Sequence, residues 1–382
     1  MTNKNSTSAS APSRVVICGG GVIGACIAYY IRRNHKERNI ETIVVERTGV
    51  ANASSGKSGG FLALDWCQGT PVDPLARRSF ALHAELAATL SVELGLDWGY
   101  RAIDTLSVVA SQQRNLSHMA RMDSPSWLGQ AAAVHSRIGN EQTTAQLDPT
   151  AFTQSMMSAA QTHGAQLCTG VVEGLTLANH NESQPSQVTG VVVDGNVMEA
   201  DSVVIAMGPW SILASQWLPM PTIYGLKGHS LVFRFEPDEP YALFLELETE
   251  DGEIETPEVV PRADGTTYIC GVRGDAPLPV DPAHVELEEG AIARLQAMAA
   301  TFSPGLAAAE ILAEQACYRP ITTDGIPIIG RVPDVEGAYV ATGHSVWGML
   351  NGPATGEALA DLIVEGEAST VDLGAFDPRR LL

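Results

Sequence analysis

An interleaved α/β fold, with a parallel βαβ unit at its start and a β-rich antiparallel part threaded through the middle of the chain, is predicted by three features of the sequence. The first is VVICGGGVIGACIAYYI, Val15 to Ile31, where an apolar run meets three consecutive glycines and then a helical pattern. The second is the stretch from Ile223 to Val272, which is mostly short alternating runs such as YALFLEL. The third is Tyr339 to Glu365, where a strand again passes through a Gly-rich turn into a helix. Period-2 runs between turn residues indicate antiparallel strands, whereas strand, glycines and helix in succession indicate a parallel crossover unit.

The first unit carries the most chemistry. Gly19, Gly21 and Gly24 form GxGxxG directly after Val15 to Cys18, and Val22 and Ile23 open the helix that follows. The free N–H groups of that helix start would face the turn, a geometry that suits a pyrophosphate. Glu41 to Glu46 then reads as a buried strand ending in an acid, 22 positions beyond Gly24 (46 minus 24). A carboxylate at that point accepts hydrogen bonds from ribose hydroxyls. Together they predict a Rossmann-like dinucleotide site.

Further along, Ala51 to Trp66 (ANASSGKSGGFLALDW) is too rich in small residues for a plain loop, and Pro74 to Leu94 reads as an amphipathic helix. Leu106 to Ala110 is strand-like, and Asp148 is a fitting N-cap for a helix reaching His163. Ala165 to Leu177 and Val188 to Val193 read as an antiparallel pair around the polar loop Asn179 to Gln187. Asp201 to Gly208 is another buried strand, leading into Pro209 and Trp210. Glu246 to Glu258 carries seven acids and reads as a solvated hairpin tip, and Glu286 to Thr301 is helical.

Composition narrows the function. A net charge of −21 over 382 residues excludes a nucleic acid or an anionic membrane surface as partner, since phosphates require a basic footprint. A small-molecule substrate fits better. The six cysteines are scattered without a CxxC pair, so neither a disulfide framework nor a metal site is expected. Residues 1–13, rich in Ser, Thr and Asn and lacking an apolar core, read as a disordered tail rather than a signal, and no stretch is long enough to insert in a membrane. A cytoplasmic location is expected. The sequence leaves the oligomeric state open.

At this point the motifs carry a resemblance that spans Arg14 to Ile363. GGGVIG with Glu46, SSGKSGG, VVIAMGPW, YRPITTDGIPIIG and YVATGHSVWGMLNGPATGEALADLI follow the order found in the D-amino-acid oxidase superfamily of FAD-dependent oxidoreductases. The chain resembles glycine oxidase and sarcosine oxidase within it. The resemblance implies FAD as cofactor and a glycine/D-amino-acid oxidase-like α/β fold. In it a Rossmann-like FAD-binding domain (14–95, 148–220 and 315–382) interleaves with a β-rich antiparallel substrate domain (96–147 and 221–314). It also implies hydride transfer from the C–H beside an amine nitrogen to the flavin, with oxygen as electron acceptor. A dehydrogenase passing electrons to another acceptor and a non-catalytic FAD-binding module stand as alternatives.

Residue by residue, the resemblance places Gly19, Gly21, Val22, Ile23 and Gly24 at the pyrophosphate, Glu46 at the ribose and Arg47 and Val172 on the adenine side. Ser54, Ser55, Lys57, Ser58, Gly59 and Gly60 follow the pyrophosphate toward the isoalloxazine. Gly208 and Trp210 lie over the cofactor, and Gly343, His344, Gly348, Met349 and Leu350 bring N–H groups to the flavin's pyrimidine edge. Arg319 matches the carboxylate-binding Arg of glycine and D-amino-acid oxidases. Cys317 matches the position at which sarcosine-oxidase-like members carry a flavin-bonded Cys, while Arg319 beside it matches the non-covalent branch.

Three departures bear on the substrate and the acceptor. Glu258 stands where glycine oxidase has an active-site Tyr, which implies either a weaker grip on a carboxylate or a cationic substrate. Ile269 stands where sarcosine oxidase has a Lys for oxygen activation, and Leu350 replaces a second Lys. Lys57 stands either as a substitute cation near the flavin or as a phosphate contact, and His229 is expected to be structural.

Overall fold

Strand Arg14–Cys18 lies at the centre of a six-stranded sheet, between Glu41–Glu46 and Ser202–Ile205, both parallel to it. This computed structural model describes residues 11–120, 122–178 and 185–382. Gln166–Thr169 continues the sheet on one side, and Ala338–Thr342 on the other, with Ile328–Arg331 closing that edge antiparallel. Alternate side chains serve two cores. Val15, Ile17, Val44 and Val204 face the helices, while Val16, Cys18, Val45 and Val203 face a β-rich layer. Burial on both faces explains why these strands read as continuous apolar runs.

That second layer contains Val172–Ala178, Ser186–Val193 and Asn196–Glu199, paired antiparallel. The single run expected from Ala165 to Leu177 is thus two strands in two sheets. Gly170 donates its N–H to Glu46 O (3.0 Å) and ends the parallel ladder, and Val171 N then turns to Asp194 Oδ1 (3.0 Å). Most of the expected loop 179–187 and residues 1–10 of the expected tail lie outside the described residues. The end of that tail is anchored rather than disordered, because Ser13 donates both N–H (2.9 Å) and hydroxyl (2.5 Å) to Asp201 Oδ2.

Helix Val22–Asn34, the crossover of the first unit, packs against helix Gly348–Val364 at close range. A Cβ at Gly356 would stand 2.6 Å from the Cys26 carbonyl carbon, so only glycine permits this approach. Pro353 within the second helix lacks an N–H and crowds the preceding turn. Helix Asp73–Leu94 repairs the defect: His83 Nε2 lies 3.0 Å from Met349 O and 3.2 Å from Leu350 O, and Ser79 Oγ accepts from Ala354 N at 3.0 Å. His83 must donate there, which sets its tautomer.

The other large sheet runs Glu310–Ile321, Tyr224–Arg234, Thr266–Gly274, Glu258–Pro261, Ala242–Glu248, Thr105–Ser111, Ala132–Gly139. It is antiparallel except where Ala242–Glu248 meets Thr105–Ser111 in parallel. The expected division at residue 315 falls inside strand Glu310–Ile321, which pairs along its length with Tyr224–Arg234. One face, including Leu231, Leu243, Val259 and Ile269, is buried under helices Ala291–Phe302 and Pro304–Ala308. The first of these begins five residues later than expected (291 minus 286), after Gly290 in the left-handed region (φ 76°), because Glu288 instead pairs with Lys227 (3.2 Å). The acidic stretch divides: Ile254–Glu255 folds back on Ala242–Glu248 as an exposed hairpin, but Glu258 belongs to an inner strand.

Candidate active site

The turn after Arg14–Cys18 is built around positions where no side chain fits. Gly19 takes φ +115°, and a Cβ on it would lie 2.5 Å from Ala206 O. A Cβ on Gly24 would stand 2.0 Å from Gly19 O. Ser55 Oγ accepts from Val22 N (2.9 Å), tying the small-residue loop to the helix start. Glu46 gathers the turn from the side, accepting from Gly20 N (2.7 Å), Thr48 N (2.8 Å) and Thr48 Oγ1 (3.1 Å).

The loop from Ala51 to Gly60 bridges to the antiparallel sheet. Ser54 Oγ donates to Tyr318 O (2.6 Å) and Lys57 Nζ to Ala316 O (3.1 Å). Tyr268 Oη donates to Lys57 O (3.2 Å), and the Arg262 guanidinium to Ser58 O (2.8 Å). A cavity of about 330 Å³ runs along this loop from the glycine turn to the sheet. It is lined by Gly19, Gly21, Val22, Ile23, Glu46, Arg47, Ser54, Ser55, Lys57, Ser58, Gly59 and Gly60. Val172, Gly208, Trp210, Glu258, Cys317, Arg319, His344, Gly348 and Met349 complete the expected residues found on its wall.

Three expected residues lie off the wall. Gly24 packs against Gly19, Gly343 (φ +80°) turns the chain beside Thr322, and Leu350 is fully buried in the helical core. Ile269 is likewise remote, because alternation turns it into the opposite core while Tyr268 and Cys270 face the cavity. The Lys-to-Ile exchange therefore leaves the cavity wall untouched, and Lys57 is a cation on it. His229 lines the cavity with both ring nitrogens engaged: Nδ1 lies 3.3 Å from Val272 O, and Nε2 accepts from Glu288 N at 3.1 Å.

One end of the cavity is a face of the antiparallel sheet. Strand register sets Phe244, Glu258, Cys270, Ser230 and Gln315 in one transverse row across five strands. Period-2 alternation from Gln315 brings Cys317 and Arg319 onto the same face. The Arg319 guanidinium has no hydrogen-bond or ion-pair partner among the described residues. Burial works against its charge, but Cys270 and Glu258 outweigh this and raise its pKa. Burial pushes the Glu258 carboxyl above the usual carboxylate range, with Arg319 opposing it. Burial also raises the Cys317 thiol against the pull of Arg319 and Lys57.

Sequence reasoning missed Phe61, Trp66, Phe244 and Trp347, which line the cavity as one aromatic group. Phe61 and Trp347 adjoin glycines singled out at Gly60 and Gly348, a usable signal; nothing local marks Phe244.

Two buried histidines predict the acid limit of the fold. Burial lowers His83 to about 4 and His344, whose Nε2 meets Thr355 Oγ1 (3.1 Å), to about 3. Both remain neutral in the folded chain while the unfolded chain protonates them near pH 6.5, so stability falls as pH drops below about 6.5. By pH 4 the loss should reach on the order of 3 kcal/mol for each histidine. Thermal melts from pH 7 to 4 check this; a melting temperature that stays level would refute it.

Compared with known proteins, the chain matches the family model described as FAD dependent oxidoreductase over residues 14–362. It is 30% identical over 387 residues to a protein of Schizosaccharomyces pombe whose name goes no further than oxidoreductase, covering 95% of this chain and 97% of that one. It is 27% identical over 383 residues to a glycine oxidase of Geobacillus kaustophilus, covering 96% of each. The crystal structure of glycine oxidase from Geobacillus kaustophilus superposes with a TM-score of 0.77 at 24% identity, over 97% of this chain and 100% of that one.

Proposed function

The chain belongs to the DAO family of FAD-dependent oxidoreductases, and from that premise we propose that it oxidises the C–N bond of a small amine carrying a carboxylate. FAD is its cofactor. The observation that carries this reading is the presence of both Arg319 and Glu258 on one sheet face, at the end of the cavity that begins in the glycine turn. The glycine cradle, Ser55 and Glu46 fit a dinucleotide: we assign the pyrophosphate to Gly19, Gly21, Val22 and Ile23, the ribose to Glu46, and the adenine side to Arg47 and Val172. We propose that the division into an FAD-binding and a substrate part runs between the two large sheets, with the whole of strand Glu310–Ile321 on the substrate side.

Held by the glycine turn, Ser55 and Glu46, bound FAD would supply the two-electron oxidation that turns the amine into an imine, which water would then hydrolyse. The protein supplies orientation and proton handling. Arg319 grips the carboxylate with two charge-assisted hydrogen bonds from its planar fork. Glu258 faces the ammonium and takes its proton, a task to which an elevated carboxyl pKa is suited. Oxygen is the proposed electron acceptor, with Lys57 as the cation on the wall. Six free cysteines and the lack, among the described residues, of a helix long and apolar enough to cross a membrane support a cytoplasmic location.

An anaerobic screen of amino acids and amines watched by flavin bleaching tests the reading, and hydrogen peroxide released in air separates oxidase from dehydrogenase. Failure of every amine to bleach the flavin would refute it. Cys317 is read as a non-covalent contact, since burial keeps its thiol protonated and the thiolate is the nucleophile. Denaturation followed by mass measurement should release all the flavin. Flavin that stays on the chain, and disappears in Cys317→Ser, would overturn that assignment.

A further inference from the structure

We propose that Phe61, Trp66, Phe244 and Trp347 form the specificity wall of the site, and that the preferred substrate carries a large apolar substituent at its reacting carbon or nitrogen. The inference rests on the reading of Arg319 and Glu258 as carboxylate and amine contacts. All four side chains line the cavity that Arg319 and Glu258 also line. Phe244 stands directly opposite Glu258 in strand register, so a group attached at or beside the amine meets the aromatic surface first.

The rings are in mutual contact. Trp66 and Phe244 centroids lie 4.7 Å apart, Phe61 lies 5.1 Å from each, and Trp347 meets Trp66 edge-on at 6.2 Å. An ammonium held between ring faces would keep them apart, whereas tilted and edge contacts at these distances leave no room between the rings. The group is therefore a wall, not a cation cage. It offers apolar surface to one side of the cavity, and a hydrogen atom in the position of a side chain leaves that surface uncovered.

Burying a benzyl-sized group against this wall should favour it over hydrogen by about tenfold or more. The test uses flavin-loaded enzyme and anaerobic reduction by four carboxylated amines: glycine, N-methylglycine, phenylalanine and N-benzylglycine. The two large substrates together test the wall, and comparison between them tells whether the substituent sits on carbon or on nitrogen. At least one should exceed its small counterpart about tenfold in second-order reduction rate, and Phe244→Ala should shrink that ratio by a similar factor. Phe244→Leu, which preserves packing, should shrink it less.

Glycine equalling both large substrates, or a ratio unmoved in flavin-loaded Phe244→Ala and Phe244→Leu, overturns the proposal. Should none of the four reduce the flavin, binding of phenylacetate against acetate, read from the flavin spectrum, decides. A preference for phenylacetate of about tenfold upholds the wall while the oxidation reading fails, and equal binding overturns the wall as well.

Discussion

Arg319→Leu is expected to slow flavin reduction roughly a hundredfold at low substrate, a loss of about 3 kcal/mol, while leaving flavin content close to that of the parent. The guanidinium has no hydrogen-bond or ion-pair partner among the described residues, and two charge-assisted hydrogen bonds to a carboxylate account for the magnitude. Arg319→Lys should recover part of the rate, because an ammonium keeps the charge and loses the fork. Stopped-flow bleaching under anaerobic conditions measures both. Unchanged reduction in Arg319→Leu, with the best amine found, would remove Arg319 from the site and leave Glu258 as the anchor for a cationic substrate.

Gly24→Val is expected to yield a chain without flavin. A Cβ there would sit 2.0 Å from Gly19 O and 3.3 Å from Ile17 Cγ2, and backbone is the group that must move. Displacing Gly19 opens the turn on which the helix start is aimed at the pyrophosphate. Glu46→Ala leaves the backbone in place and removes an acceptor shared by Gly20 and Thr48, so it should weaken flavin affinity about tenfold or more without abolishing it. Flavin absorbance per chain, with far-ultraviolet circular dichroism to establish folding, separates the two. A folded, fully yellow Gly24→Val protein would refute the assignment of this turn.

The same contrast shows what was legible. Interactions within a few residues are written in residue order, so the glycine turn, the acid at Glu46, the Asp148 cap that accepts from Ala151 N (2.6 Å) and the helix Asp73–Leu94 could all be read directly. Less legible was a run whose two halves join different sheets, as Gln166–Thr169 and Val172–Ala178 do, because apolar content does not say which strand lies alongside. Helix Ala291–Phe302 was expected to start earlier because the pairing of Glu288 with Lys227 spans 61 residues (288 minus 227).

By itself, then, the sequence determined the parallel βαβ unit, the residues that clear its turn, and the presence of Arg319 and Glu258. Only the tertiary structure decided which of these face a common cavity. Strand alternation sends Tyr268 and Cys270 to the cavity and Ile269 into the opposite core, and it places Glu258 on the wall although its neighbours in sequence form a solvated hairpin. Burial of Leu350 and the meeting of Phe61, Trp66, Phe244 and Trp347 were decided the same way. The physical reason is that a turn is set by the conformational limits of its own residues, whereas a wall is set by register between strands, and register is fixed by which faces the whole chain succeeds in burying.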